Sequence, residues 1–159
     1  MGKTWIRILT TGITIGLMTL IFCFSSQPAE TSDATSGVFA ETVADILRPG
    51  WRNLAASDKQ EVYDRINHVI RKLGHFTEVA LLGFSLRMSL ESWMEKRRGL
   101  GPVAWTGATL FAAMDEYHQI GVDGRSGQIA DVALDSCGVL TGVLLAGLLI
   151  RLIGRRANL

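Results

Sequence analysis

The sequence lacks an excess of charge of either sign. It has 16 Lys and Arg residues against 15 Asp and Glu residues, which gives a formal net charge of +1 at pH 7. The basic residues are spread along the chain and do not form a cluster in one segment. Since a nucleic-acid-binding surface needs concentrated positive charge, we expect no nucleic acid among the partners.

The chain is also poor in cysteine, and it has neither an internal repeat nor a low-complexity tract. Its two cysteines, Cys23 and Cys137, both lie in apolar runs, where free, buried thiols are the ordinary finding. A disulfide between helix ends on the outer side of a membrane is the alternative. The absence of repeats and the length of 159 residues predict a single domain over residues 1–159.

Long apolar runs are what the sequence does contain, and 48% of its residues are hydrophobic. A helix that crosses a bilayer needs about 20 predominantly apolar residues. Four runs of about this length are present, at residues 5–24, 73–94, 103–120 and 129–153. We therefore predict an all-α fold, a four-span transmembrane helical bundle, because a helix satisfies its own backbone hydrogen bonds in lipid.

Basic residues at the ends of the runs predict the orientation of the chain. Lys and Arg in short flanks are retained on the cytoplasmic side. They occur before the first run, in the connector between the second and third runs, and after the fourth run: Lys3, Arg7, the "EKRR" of residues 95–98, Arg151, Arg155 and Arg156. We predict a multi-pass protein with both termini in the cytoplasm. A cleaved signal peptide is the rival interpretation of the first run, but its length favours an uncleaved span.

The segment between the first two runs, residues 28–72, is predicted to be extracytoplasmic and helical. The sequence "RPG" at residues 48–50 divides it into two helices. The first is expected near residues 34–47, and the second is expected to begin at the capping-box pair Ser57 and Gln60. Both have an apolar face, which is typical of a helix on the bilayer surface or of one that caps a bundle; we favour the cap.

Polar residues concentrate where the predicted spans would meet on one side of the membrane. These segments are "FSSQP" (24–28), "RKLGHFTE" (71–78), "DEYHQ" (115–119) and "RSGQIADVALD" (125–135). An unpaired charged side chain in the middle of a bilayer costs at least a few kcal/mol, so such groups turn inward, pair or line a wet cavity. We predict a polar pocket that opens to the outer face and is built from all four spans.

The carboxylates Asp131 and Asp135 are spaced to share one face of the fourth predicted helix. The same face continues as Gly138 and Gly142, a pattern of small residues that lets two helices approach closely. Such a face is expected to point at other helices and not at lipid.

These segments resemble those of the VanZ-like family of small integral membrane proteins. The resemblance rests on "FSSQ" (24–27), "KLGHFTE" (72–78), "DEYHQ" (115–119) and "GRSGQIADVALDSCG" (124–138). It implies a location in the bacterial cytoplasmic membrane as part of the cell envelope. The family's namesake is associated with low-level resistance to teicoplanin, a lipidated glycopeptide antibiotic.

The resemblance also implies which residues are functional. The family motif residues, position by position in this sequence, are Ser25, Ser26, Gln27, Lys72, His75, Glu78, Asp115, Glu116, His118, Gln119, Arg125, Asp131 and Asp135.

Three functions remain open, and the first is binding of the headgroup of a membrane lipid or lipid-linked glycan. Lys72 and Arg125 would contact anionic oxygens, and the fork of Arg suits phosphate. The excess of carboxylates opposes an anionic ligand unless a cation or an amine accompanies it. The expected ligand-binding residues are Gln27, Lys72, His75, Glu78, Asp115, His118, Gln119, Arg125, Asp131 and Asp135.

The second function is a metal-dependent hydrolase or transferase acting on a lipid-linked substrate, so whether the protein is an enzyme stays undecided. "HFTE" (75–78) and "DEYH" (115–118) each place a His and a carboxylate three residues apart, a spacing by which helices present metal ligands inward. The ligands of a divalent metal cofactor would come from His75, Glu78, Asp115, His118 and Asp135. Glu116 and Asp131 are the catalytic candidates.

The third function is a structural or proton-relay network of the same polar groups. On any of the three, two pairs are expected at the centre of the site, Asp131 with Asp135 and Asp115 with His118.

Overall fold

The computed structural model describes residues 2–94 and 98–156, and all regular structure within them is helical. The α-helices are α1 (Gly2–Ser25), α2 (Ala29–Leu47), α3 (Ala56–Trp93), α4 (Leu100–Gln119) and α5 (Ile129–Arg156). A 3₁₀ turn, Trp51–Asn53, separates α2 from α3. The prediction of an all-α fold is confirmed. Most of the connector "EKRR", residues 95–97, lies outside the described residues.

A bundle is formed by α1, the second half of α3, α4 and α5. Arg7, near the start of α1, donates from Nε to the carbonyl of Ser92 near the end of α3 at 2.9 Å, so these two helices are antiparallel. A short loop, residues 120–128, reverses the chain between α4 and α5. The end of α1, the middle of α3, the end of α4 and the start of α5 therefore lie at the same end of the bundle.

The close approach predicted from glycine spacing on α5 is confirmed. The backbone of α5 at Gly142 lies against the Ala80 carbonyl and the Phe84 amide of α3. A Cβ at Gly138 would come within 2.8 Å of the Phe76 carbonyl oxygen. Small residues thus let the parallel helices α3 and α5 pack backbone against backbone, as small residues at helix contacts do in membrane proteins.

Only two of the described helices are long and apolar enough to cross a membrane by length and composition, against the four that run length predicted. They are Gly2–Ser25 and Ile129–Ile153, with mean hydropathy of 1.9 and 2.1. The second half of α3 contains charged residues, among them Arg87 and Glu91, and α4 ends in Asp115 and Glu116. These charges lower the mean hydropathy of runs that are otherwise apolar.

The segment before the bundle is a helical hairpin of α2 and the first half of α3. The predicted break at residues 48–50 is confirmed, and Gly50 adopts the left-handed conformation there, with φ of 87°. However, α2 begins at Ala29, and the second helix does not end at the bundle. It continues into it as α3, which has 38 residues and is about 57 Å long.

The predicted capping box at the start of this second helix is wrong. The helix begins at Ala56, before Ser57, and its N-cap position is occupied by Ala55, whose side chain has no group that could cap the helix. Ser57 lies inside the first turn, where its hydroxyl donates to Asp58 Oδ1 at 3.1 Å.

The hairpin closes through small residues of α2. Ala40 and Ala44 are fully buried, and Gly37 lies against the Tyr63 hydroxyl of α3. The large apolar residues of α2, among them Phe39 and Leu47, are exposed. The apolar face from which we expected α2 to cap the bundle therefore points away from α3.

Both cysteines, Cys23 and Cys137, are free, as predicted, but they lie on the exposed surface of their helices rather than in the core.

Candidate functional site

Three side-chain contacts join the polar segments at one end of the bundle. Ser25 Oγ of α1 donates to Asp115 Oδ1 of α4 at 2.5 Å. Lys72 Nζ of α3 forms an ion pair with Asp131 of α5. Arg125 Nη1 of the α4–α5 loop donates to Gln119 Oε1 of α4 at 3.2 Å. The convergence expected from the sequence is therefore present in the fold.

A cavity of about 110 Å³ opens among these groups. It is lined by α3, α4, α5, the α4–α5 loop and the start of α2: Ala29, His68, Arg71, Lys72, His75, Glu116, Gln119, Gly124, Arg125, Ser126, Gln128, Asp131, Leu134 and Asp135. Unlike the predicted pocket, this cavity has no lining residue from α1. Helix α1 contributes to the cavity indirectly, because its Ser25 hydroxyl donates to Asp115 and its Phe24 carbonyl accepts from Arg125.

Arg125 holds the loop against the end of α1. Its Nε donates to the carbonyl of Gln27 at 3.0 Å, and its Nη2 donates to the carbonyl of Phe24 at 3.1 Å. Gln27 thus takes part through its backbone. Burial lowers the pKa of the Arg125 guanidinium, and the positive charge of Arg71 acts in the same direction. The group nevertheless stays charged at neutral pH, because an arginine in a protein does not deprotonate.

A buried chain of hydrogen bonds lies behind the cavity wall. Asp115 accepts from the fully buried Ser25 through Oδ1, and from Gln119 Nε2 through Oδ2 at 3.2 Å. Gln119 in turn accepts from Arg125. Hydrogen bonds to a charged acceptor are stronger than neutral ones, so this chain fixes the relative positions of α1, α4 and the loop.

Glu116 anchors the start of α5. Its Oε1 accepts the backbone N–H of Gln128 at 2.9 Å, which satisfies a donor just before the helix begins. Gly124 has φ of 72° and packs beside Ala29, whose N–H donates to the Asp123 carbonyl at 3.1 Å. This turn joins the loop to the start of α2.

Asp135 differs from the other carboxylates of the cavity. It is 6% exposed and lines the cavity floor one helical turn beyond Asp131. Among the residues that the structure describes, no donor gives it a hydrogen bond, whereas Asp131 is paired with Lys72. Buried carboxylates are ordinarily paired or hydrogen-bonded, so this one marks a place where a ligand group would fit.

His118 lies away from the cavity, so the expected pair with Asp115 does not form. Its ring is exposed and stacks on Phe22 of α1, with ring centroids 4.7 Å apart. Its Nε2 is 3.1 Å from Ser26 Oγ. On α4, Asp115 points inward together with Gln119, and His118 falls on the flank of the same helix.

His75 and Glu78 lie at the edge of the site. His75 lines the cavity and Glu78 does not. Their facing atoms, Nδ1 and Oε2, are 3.9 Å apart, which is too far for a hydrogen bond.

The expected metal site is not assembled in the part of the chain that the structure describes. No group of three or more His, Cys, Asp and Glu side chains is placed to hold a metal ion there. The physical reason is the division of the expected ligands, since Asp115 is buried and engaged by Ser25, whereas His118 is exposed and stacks on Phe22.

Lining residues that sequence reasoning missed include His68 and Gln128. His68 precedes Lys72 by one helical turn and His75 by two, so it lies on the face already identified. We had assigned that part of α3 to a separate helix. Gln128 stands inside the polar loop motif, but its role depends on a backbone hydrogen bond that no side-chain pattern reveals.

A family model matches most of the chain. The matching family is VanZ/LLP1, and the match covers residues 11–151. These residues include all of α2, α3 and α4, most of α1 and α5, and the whole cavity lining. Neither a curated protein nor a solved structure matches the chain.

Proposed function

We propose, from the premise that this chain belongs to the VanZ/LLP1 family, that it is a membrane protein that binds the headgroup of a lipid or lipid-linked glycan in the cavity. One observation supports this most strongly. The cavity contains the buried Asp135 carboxylate, which accepts no hydrogen bond from any described residue. The charged donors Lys72 and Arg125 line the same cavity. Intramembrane ionisable groups that are not paired internally are typical of ligand pathways and binding sites.

The membrane arrangement that we propose has four spans. The second half of α3 and α4 are packed between α1 and α5, which are themselves apolar enough to cross. On α4, the large apolar residues Val103, Leu110 and Met114 are exposed, as expected of a helix that faces lipid. The four helices alternate in direction, and the basic residues near both termini favour the cytoplasmic side for both. The cavity and the α2–α3 hairpin then lie on the outer side.

The size of the cavity supports a headgroup as the ligand. At about 110 Å³ it is well below the roughly 300–1,000 Å³ of a pocket that encloses a drug-sized molecule. A headgroup can enter it while the acyl chains remain in the bilayer beside the bundle. Exposed apolar residues near the cavity end, including Ile120 and Ile129, provide a surface for those chains.

Family membership supports a further link to low-level glycopeptide resistance. A protein that binds an outer-leaflet headgroup would alter how a lipidated antibiotic reaches its target. Expression of the chain in a susceptible bacterium is then expected to raise the inhibitory concentration of teicoplanin.

A purely structural polar network is the second candidate. It is favoured by the internal pairing of Ser25 with Asp115 and of Lys72 with Asp131. We do not extend the proposal to a metal-dependent hydrolase, because the described residues assemble no set of ligands.

Filling the cavity without changing its charge tests headgroup binding. Leu134 lines the cavity, whereas Leu144 is exposed on the same helix. Each is replaced by Trp, and lipids bound to the purified protein are counted by native mass spectrometry. The proposal predicts that Leu134→Trp loses a bound lipid that Leu144→Trp and the wild type retain. Equal lipid content in three folded proteins would favour the network instead.

A further inference from the structure

The charges around the cavity do not balance internally. Lys72 is paired with Asp131, and Arg71 is paired with Asp33 of α2. Among the Lys and Arg residues that the structure places at the cavity, Arg125 is then the one left to face the buried carboxylates Asp115, Glu116 and Asp135. The guanidinium is directed at carbonyl oxygens of α1 and at Gln119, so none of these three carboxylates receives an ion pair among the described residues.

Asp135 has the greatest need of a cation. Asp115 accepts hydrogen bonds from Ser25 and Gln119, and Glu116 accepts one from the backbone of Gln128. Asp135 accepts none from the described residues, although it is 94% removed from solvent, being 6% exposed. A buried carboxylate without a partner is costly, and a positive group in the cavity would remove that cost.

An organic ammonium fits this site better than a metal ion does. A primary ammonium has three N–H donors and needs only oxygen acceptors in roughly tetrahedral directions. Asp135 offers both carboxylate oxygens, and Glu116 offers Oε2, because its Oε1 is engaged by Gln128. The described residues include no group of three metal-ligating side chains, so a metal ion lacks the ligand set that it requires.

Arg125 supplies the complementary anion site at the loop end of the cavity. A guanidinium has five N–H groups, and three of the five are directed at Gln27, Gln119 and Phe24. One N–H on each terminal nitrogen remains, and both nitrogens belong to a residue that lines the cavity. N–H groups of a guanidinium are donors that suit a phosphate.

We propose that the bound headgroup is a zwitterion, with a primary ammonium on Asp135 and Glu116 and a phosphate on Arg125. The inference rests on the proposed headgroup binding and adds the chemical class of the ligand. It removes the difficulty that an excess of carboxylates poses for a purely anionic lipid, because the ligand brings its own positive charge.

The test compares two phospholipids that differ in the ammonium. The purified protein is placed in nanodiscs with equal amounts of phosphatidylethanolamine and phosphatidylglycerol, and retained lipids are measured by native mass spectrometry after release into detergent. The variants are Asp135→Asn, which keeps the side-chain shape, and Asp123→Asn, which removes a carboxylate from the exposed part of the loop. The wild type and Asp123→Asn are expected to retain the ethanolamine lipid in preference, and Asp135→Asn is expected to lose about tenfold or more of that preference.

The other outcomes separate the two proposals. Equal retention of both lipids by the wild type, or an unchanged preference in Asp135→Asn, overturns the zwitterion and leaves headgroup binding in place. Retention of neither lipid above the level of Leu134→Trp overturns headgroup binding as well. Should Asp135→Asn fail to fold, Glu116→Gln replaces it, because its carbonyl oxygen can still accept from Gln128. It is expected to lower the preference, and an unchanged value overturns the zwitterion.

Discussion

At the scale of single residues, neighbours in the sequence have opposite environments in this fold. Ser25 is fully buried and donates to Asp115, whereas Ser26 is exposed and donates to the Phe22 carbonyl of its own helix. The family motif contains both serines, and no sequence pattern separates them. Consecutive residues of a helix are rotated by about 100° around its axis, so Ser25 is buried and Ser26 is exposed once α1 is packed against α4.

The two serines give a matched pair of substitutions. Ser25→Ala leaves one oxygen of the buried Asp115 carboxylate without its donor, which is expected to cost about 1–3 kcal/mol of unfolding free energy. Ser26→Ala is expected to change it by less than about 0.5 kcal/mol, as exposed substitutions do. Reversible unfolding in mixed detergent measures both. Equal effects of the two substitutions would contradict the buried hydrogen bond.

The α2–α3 hairpin contains a carboxylate with a strongly lowered pKa. Hydrogen bonds from Arg52 and from the Trp51 indole lower the pKa of Asp45 to about 2. A lowered pKa means that the folded hairpin favours the ionised form. The stabilisation is therefore complete above the ordinary value of 3.8 and is lost as the pH falls through about 2.

This shift is measurable by NMR on protein labelled with ¹³C at aspartate. The Asp45 carboxyl is expected to titrate near pH 2 in the wild type and closer to 3.8 in Arg52→Gln. A midpoint that does not move in Arg52→Gln would show that Arg52 is not the cause.

Residue spacing predicted some side-chain partners and missed others, for a physical reason. The buried carboxylate of the site, Asp135, was identified from its spacing of four residues from Asp131 on one face of the helix. The pair of Asp115 with His118 was wrong, because the two positions differ by about 60° around the helix, which buries Asp115 against Ser25 and leaves His118 exposed beside Phe22. A spacing of three limits the angle between two side chains, but the neighbouring helix decides which of them it covers.

At the scale of elements, the packing of α3 on α5 depends on glycine. Gly142 is in contact with the backbone of α3. At Gly147, further along α5, no described atom beyond the adjoining backbone of α5 lies within 4 Å of where a Cβ would stand. Because both glycines lie inside α5, substituting each by Ala separates the effect of the contact with α3 from the effect of helix propensity.

Gly142→Ala is therefore expected to destabilise the bundle by about 1–3 kcal/mol, because α3 must move away to admit the new methyl group. Gly147→Ala is expected to be neutral or stabilising by up to about 1 kcal/mol, the usual gain of alanine over glycine in a helix. Unfolding in mixed detergent again gives the values. A stable Gly142→Ala variant would mean that the two backbones are not in contact.

Element boundaries were predictable where a residue breaks the helix and not where one helix continues into another. The break at residues 48–50 followed from proline and glycine. The capping box at Ser57 was wrong, because the helix already begins at Ala56. The continuity of α3 was missed because the chain changes from polar to apolar near Leu73. In the sequence, such a change of composition within one helix resembles a boundary between two helices.

At the scale of the whole molecule, the helix directions place the start of α1 and the end of α5 at the end of the bundle opposite the cavity. In the four-span arrangement that we propose, the basic residues near these ends favour the cytoplasmic side for both. Run length predicted four spans, and two helices meet the stricter test of composition. The charges that lower the hydropathy of α3 and α4 include those that build the site, such as Lys72, Asp115 and Glu116.

Cysteine accessibility tests this topology. In a chain with Cys23 and Cys137 replaced by Ala, the variants Thr4→Cys and Ser57→Cys place one thiol at each end of the molecule. A membrane-impermeant maleimide is expected to label Ser57→Cys in intact cells and Thr4→Cys only after permeabilisation. Labelling of both in intact cells would contradict a common cytoplasmic side for the termini.

Whether a headgroup enters the cavity can be measured by photo-crosslinking. A phosphatidylethanolamine analogue with a photoreactive group beside its headgroup is incorporated with the protein into vesicles, irradiated and mapped by peptide mass spectrometry. Headgroup binding predicts label in residues 124–135 and on the cavity face of α3 near His68 and His75, and loss of that label in Leu134→Trp. Label confined to the exposed apolar surfaces of α1 and α4 would contradict it.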